Sequence, residues 1–174
     1  DGSGYSYQPE IYPHTRTSNA VALRGLYYLP YRAVLKAGYR YFTDTWGIDA
    51  HTVELGYSQP FKERWIVDLG YRWYRQSAAD FYGDLFPYRD AQNFLARDKE
   101  LSTFTSHTFS LGLSYEFGGG WGFVEKGTLN LGWDHVLYRY DDFRDLRDTA
   151  APVGEERRYR YDANVLKLFI SIWY

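Results

Sequence analysis

Trp65-Ile66-Val67-Asp68-Leu69-Gly70-Tyr71-Arg72-Trp73-Tyr74 alternates without a break. One set reads Trp65, Val67, Leu69, Tyr71 and Trp73, and the other reads Ile66, Asp68, Gly70, Arg72 and Tyr74. A period of two sends the sets to opposite faces of a strand, whereas a helix would mix them around its circumference. The apolar face has Trp at both ends and aliphatics between, the order expected of a hydrocarbon band with aromatic girdles. Soluble strands average about five or six residues, but a tilted strand crossing a bilayer needs about 9–11. This one has the longer length.

The same pattern recurs along the chain and predicts seven strands, at about 19–29, 31–42, 50–59, 64–75, 104–117, 127–140 and 159–174. The fold class expected is all-β, an antiparallel up-and-down transmembrane β-barrel. Its polar face carries Arg24, Arg32, Lys36, Arg40, Glu54, Asp68, Arg72, Glu116, Asp134 and Lys167. Charges this frequent have no place in lipid, where a midplane Arg or Lys costs roughly 2–4 kcal/mol, and they are expected to line a wet lumen. Tyr41, Trp65, Trp73, Tyr115, Phe117 and Tyr174 are the expected girdle residues. His135 is the mid-strand exception on the apolar face, and Arg75 and Arg139 fall near strand ends, where they can snorkel.

Composition excludes several classes. The 20 Lys+Arg nearly balance the 22 Asp+Glu, so no basic field draws the chain to nucleic acid. Without cysteine there are no disulfides, thiolate metal sites or cysteine nucleophiles. Mean hydropathy is −0.53 and no apolar run suits a membrane helix, which leaves a barrel untouched because its strands show lipid only every second residue.

Connections alternate in length. Leu29-Pro30-Tyr31, Gln59-Pro60-Phe61-Lys62-Glu63 and Gly118-Gly119-Gly120-Trp121-Gly122 read as short turns, and 43–50, 77–103 and 141–158 as long loops. That asymmetry is the periplasmic–extracellular difference of bacterial barrels. Ile172-Trp173-Tyr174 matches the terminal aromatic pattern read by the barrel assembly machinery, so the last strand is expected to descend to the short-turn side. Counting back from it makes the first strand descend too and puts residues 1–18 outside the cell. Pro9 and Pro13 each remove a ladder donor, so residues 5–12 are not an eighth strand. Seven is odd while single-chain bacterial barrels are even, and Asp1-Gly2-Ser3-Gly4 is no secretory start. The chain is therefore expected to be the C-terminal portion of a larger barrel.

Particular stretches carry a family likeness. Glu10-Ile11-Tyr12-Pro13-His14-Thr15-Arg16-Thr17 leads into Leu23-Arg24-Gly25-Leu26-Tyr27-Tyr28-Leu29-Pro30. Then come Tyr39-Arg40-Tyr41-Phe42-Thr43-Asp44-Thr45-Trp46-Gly47-Ile48, His51-Thr52-Val53-Glu54-Leu55 and Arg75-Gln76-Ser77-Ala78-Ala79-Asp80-Phe81-Tyr82. The chain resembles the C-terminal half of the DUF3570 family of bacterial outer-membrane proteins, best over residues 10–82. The resemblance implies a longer barrel in the outer membrane of a Gram-negative bacterium. It brings no catalytic residues. Members encoded beside a flavin-transferring enzyme and small thiol-redox proteins imply an envelope redox setting.

Candidate sites are few. Gly38, Gly56, Gly70, Gly112 and Gly132 share a register and face inward, where they relieve crowding as the sheet bends. His14, His51, His107 and His135 have no metal-ligand spacing and read as interfacial residues, so no metal is expected. Ser106 and His107 are strand neighbours pointing to opposite faces, and no nucleophile–base pair emerges. An enzyme is not expected, nor a cofactor. The loop 77–103 combines Phe81, Tyr82, Leu85, Phe86, Phe94 and Leu95 with acids, more apolar bulk than a spacer needs. Phe81, Tyr82, Phe86 and Phe94 are the expected constriction or docking residues, with a short helix expected at 90–100. The loop 141–158 is acidic but carries Arg144, Arg147, Arg157 and Arg158, and reads as solvated and self-paired.

Two functions follow. The first is a porin-like pore for small solutes, with weak anion preference from an Arg32, Lys36, Arg40 ladder on one strand face. The alternative is a barrel scaffold holding a periplasmic, lipoprotein or redox partner. Outer-membrane lipid is the surrounding partner in both.

Overall fold

A computed structural model describes residues 5–121, 124–148 and 150–174. Seven antiparallel strands form one open sheet in sequence order: β1 (Ser18–Tyr28), β2 (Val34–Asp44), β3 (Asp49–Phe61), β4 (Trp65–Gln76), β5 (Phe104–Trp121), β6 (Val124–Arg144) and β7 (Arg158–Trp173). The all-β, up-and-down arrangement expected from alternation is what forms. Among the described residues β1 and β7 each keep one unpaired edge.

Several strand ends differ from the sequence reading, each for a local reason. Arg32 was expected on β2, but it lies in the β1–β2 turn with φ 69. Its N–H donates to Leu29 O (3.1 Å) and Leu29 N–H donates to Ala33 O (2.8 Å). Pro30 presets the first turn residue, and the chain needs one left-handed residue to re-enter the ladder, so β2 begins at Val34. Pro60-Phe61 was expected as turn yet continues β3, with Pro60 paired to Ile66. The β2 partner ladder ends at Ser58, so the missing Pro60 N–H leaves no bond unmade there. Gly118, Gly119 and Gly120 likewise belong to β5, where the register shifts between Gly118 and Trp121. Gly122 of that expected turn, Asp1 to Gly4 of the outer segment and Thr149 of the last loop lie outside the described residues. The expected helix at 90–100 is only a 3₁₀ turn, Lys99–Leu101, which Asp98 caps by accepting from Glu100 N–H. β6 runs on to Arg144, shortening the last loop.

The two faces differ in what covers them. The apolar face is bare: Leu23 and Leu166 are each 76% exposed, and Leu26, Leu69, Leu111, Leu131, Phe169 and Ile170 are exposed on the sheet. Of these, Leu26 and Phe169 interrupt the polar face. The buried hydrophobic cluster lies instead at the long-loop end: Ile48, Ala79, Phe81, Ala96 and Leu101, with Phe42, Trp46 and Tyr82 against it.

The apolar band is oblique to the strands. Cross-strand pairing links Val21, Tyr41, His51, Arg75, Thr105, Arg139 and Arg160 into one row. Val21 opens the apolar run on β1, but on β7 that run opens at Leu166, level with Tyr27 in the row Tyr27, Leu35, Tyr57, Leu69, Leu111, Trp133 and Leu166. The far edge slides the same way, from Leu29 after β1 to Tyr174 after β7. On the polar face the glycines slide with it. Gly56 lies under Lys36, Gly70 against Ser110, Gly112 against Asp68 and Gly132 near Lys167, so each leaves room for a neighbouring side chain.

The link between β2 and β3 rests on one glycine. Asp44 accepts from Trp46 N–H (2.9 Å) and Ile48 N–H (3.1 Å), Asp80 N–H donates to Trp46 O (2.8 Å), and Gly47 takes φ 83. A Cβ there would stand 2.2 Å from Asp80 Oδ1. Gly47→Ala is expected to cost about 1–2 kcal/mol from φ alone, and more from the clash. Limited proteolysis would read it as faster cleavage in 77–103 with the sheet intact.

Candidate functional site

The long loop folds back over the polar face of the sheet. Gln76 ends β4 on the polar face, and its side chain donates to Glu100 O and Ser102 O, both at 2.9 Å. That anchors the loop's return over the inner ends of β2–β6, where Thr52, Ser106, Phe104 and Tyr140 are buried. The N-terminal segment joins this cap: Ile11 and Leu95 exchange N–H donations of 2.9 Å each, and Arg97 N–H donates to Glu10 Oε1 (2.8 Å).

Asp84 holds the pieces together. Its buried carboxylate accepts from Arg97 (3.0 Å), from the Arg144 guanidinium (2.5 Å) and backbone N–H (3.0 Å), and faces Arg158 at 3.5 Å. Arg97 also donates to Asp84 O (2.7 Å) and Arg144 O (2.8 Å) and lies over the Phe143 ring at 4.3 Å. One carboxylate thus ties the long loop to the start and end of the β6–β7 loop. That loop was expected to pair with itself, and Arg147 and Arg157 do reach Asp145. Arg144 and Arg158 instead reach sixty and more residues back in sequence.

The expected constriction residues take different stations. Phe81 is in the buried cluster and meets Trp46 edge-on at 5.1 Å, and Tyr82 packs on it while its hydroxyl donates to Asp142 O (3.2 Å). Phe86 lies against Gly83 beside a cleft of about 360 Å³, and Phe94 is exposed. Only the first two hold the cap.

The polar face below carries the expected charges except Arg32, which the turn removes. Arg24, Glu54 and Arg72 share one row, with Arg72 3.6 Å from Glu54, and Arg40 stands one row higher. Lys36 lies over Gly56, Ser58 donates to Asp68, and Lys167 pairs with Asp134. Glu116 stands towards the short-turn end. On the opposite face Trp65 and Tyr115 meet at 4.4 Å with Phe117 beside them, Tyr174 is exposed, and Trp73 and Tyr41 stand nearer the loops. Tyr41 donates to Asp49 (2.6 Å). His51 and His107 each bond one tyrosine, Tyr39 at 2.7 Å and Tyr71 at 2.9 Å, and His135 bonds Asn164 at 3.0 Å. No described histidine shares a ligand cluster. Between cap and wall is a cavity of about 340 Å³ lined by Arg16, Arg40, Phe42, Trp46, Tyr74 and Glu100, among others. Sequence reasoning missed Asp84, Gln76 and the N-terminal segment as cap residues, because their partners are remote in sequence.

A family model described as a protein of unknown function (DUF3570) matches residues 1–127. The chain belongs to this family. The DUF3570 match takes in β1 to β5 and reaches the start of β6, well beyond the stretch whose motifs carried the resemblance. No curated protein and no solved structure matches the chain.

Two outcomes test the cap. Asp84→Ala leaves three guanidiniums converging without a carboxylate, a loss of about 3 kcal/mol in the cap, read as protease cleavage in 77–103. Acid acts on the other loop. The Arg147 guanidinium holds Asp145 below the usual carboxylate range, and the Tyr5 hydroxyl does the same for Glu156. A depressed carboxylate stabilises above its unfolded value of about 4 and loses that contribution as pH falls through its folded value. Amide exchange in 145–157 is expected to keep its protection between pH 8 and 5, after correction for intrinsic rates, and to lose it below about pH 4.

Proposed function

We propose that this chain forms part of an outer-membrane β-barrel of a Gram-negative bacterium that acts as a pore for small solutes, with a weak preference for anions. The observation that carries the reading is the bare, oblique apolar band. From β1 to β7 its edge slips by six residues, about 20 Å of strand, across six steps totalling about 29 Å, a slope of roughly 35°. Strands of membrane barrels tilt by about 35–45°, so a band level with a bilayer crosses them at this slope. Water is a poor solvent for such a face, since each large apolar side chain left exposed forgoes about 1.5–3 kcal/mol. The free edges of β1 and β7 support closure by further strands, because unpaired backbone is not tolerated in lipid.

Inside, the β1–β4 wall carries Arg24, Lys36, Arg40 and Arg72 against Glu54 and Asp68, and the cap narrows the outer mouth. Selectivity is therefore cationic-walled and weak. Recording the full-length protein in planar bilayers tests this. Steady conductance is expected, with anion selectivity lowered by Lys36→Glu and Arg40→Glu and untouched by Arg32→Glu, whose residue is in the turn. Absence of conductance steps, or a monodisperse and cooperatively folded protein without detergent, overturns the reading.

A further inference from the structure

Resting on the pore reading, we propose that the polar wall holds a discrete binding site for a small organic oxyanion, a phosphate or carboxylate group carried on a flat ring. Arg24, Gly38, Glu54 and Arg72 lie side by side on β1 to β4, and Arg40 projects above them. Together they line a cavity of about 310 Å³. Its floor is backbone: a Cβ on Gly38 would stand 3.6 Å from Glu54 Cβ and Oε2 and 3.8 Å from Arg24 Cγ. Glycine is what keeps this hollow open.

The charges are unequal. Glu54 is engaged by Arg72 at 3.6 Å, and among the described residues neither Arg24 nor Arg40 has an ion-pair partner. An oxyanion above Gly38 gives the N–H forks of Arg24 and Arg40 acceptors of matching geometry, and the Glu54 carboxylate on its other side is offset by Arg72. Two of the guanidiniums lie over rings, Arg40 over Phe42 at 5.6 Å and Arg72 over Tyr74 at 5.2 Å; Arg72 turns its Nε edge to Glu54, and Arg40 keeps its N–H edges for a ligand.

Arg40 also lines the larger cavity under the cap, with Phe42, Trp46 and Tyr74. Arg40 lines both hollows, so a ring attached to an oxyanion that it holds has those aromatic side chains within its reach. Asp98 and Glu100 face the same upper cavity, and its Arg16 is already paired with Asp44, so among the described residues a second negative group finds no unpaired cation there besides Arg40. The ligand therefore carries its charge at one end.

Titration calorimetry of the full-length protein in detergent, with phenyl phosphate as probe and inorganic phosphate as its control, tests the site. Saturable binding of phenyl phosphate is expected, about tenfold tighter than inorganic phosphate. Arg24→Gln and Arg40→Gln are each expected to weaken it roughly tenfold, and Gly38→Leu to abolish it by filling the floor. Because Gly38→Leu risks misfolding, heat-modifiable migration on gels is checked first and the arginine variants decide if it fails. Non-saturable binding, affinity unchanged in the arginine variants, or equal affinity for both probes overturns the proposal. Conductance without saturable binding removes the site and leaves the pore, whereas saturable binding without conductance removes the pore and leaves the site.

Discussion

A single sheet with one uncovered apolar face is the constraint on which everything else depends. In a soluble β protein the same alternation would bring a second layer over the apolar side chains. Here the described residues provide none, and Leu23 and Leu166 are three-quarters exposed. Buried apolar mass is displaced to one end, in the cluster around Phe81 and Leu101. The sheet is consequently organised by its pairing register rather than by a core. That is why a diagonal band, invisible in any one strand, becomes the most informative feature of the molecule.

The polar face is shaped by small residues as much as by charged ones. Gly56 and Gly112 stand where the Lys36 and Asp68 side chains cross between strands, and Gly38 leaves a hollow between Arg24 and Glu54. A Cβ at Gly70 would press to 3.1 Å on Ser110, so the polar face is crowded even with the glycines in place. Charge and space are thus set jointly: a long side chain occupies the room its neighbour gives up. The cap obeys a different logic. Asp84 draws Arg97, Arg144 and Arg158 from three places in the chain onto one carboxylate, so the loops hold their position through a few strong polar contacts and a small apolar cluster.

Strand identity was legible because alternation is a local property, and Trp65 to Tyr74 states it in ten consecutive residues. Strand ends were less so. Pro60 and the glycines at 118–120 are turn formers by intrinsic preference, yet they continue strands where a ladder ends or shifts register. Arg32 shows the converse: it fits the alternation of β2, but closing the hairpin after Pro30 takes it out of the ladder. Pairing decided these cases against local preference.

The sequence by itself determined that the chain is built of long antiparallel strands with one apolar and one charged face, because period two and turn spacing are encoded between near neighbours. It also marked loop 77–103 as too apolar to be a spacer. Tertiary structure alone decided that this loop folds back onto Gln76, that Asp84 gathers arginines from β6 and β7, and that Arg24, Arg40 and Arg72 line the hollow at Gly38. Those meetings depend on register, a sum of hairpin lengths across the sheet, and a one-residue change in any turn would send each side chain to the opposite face.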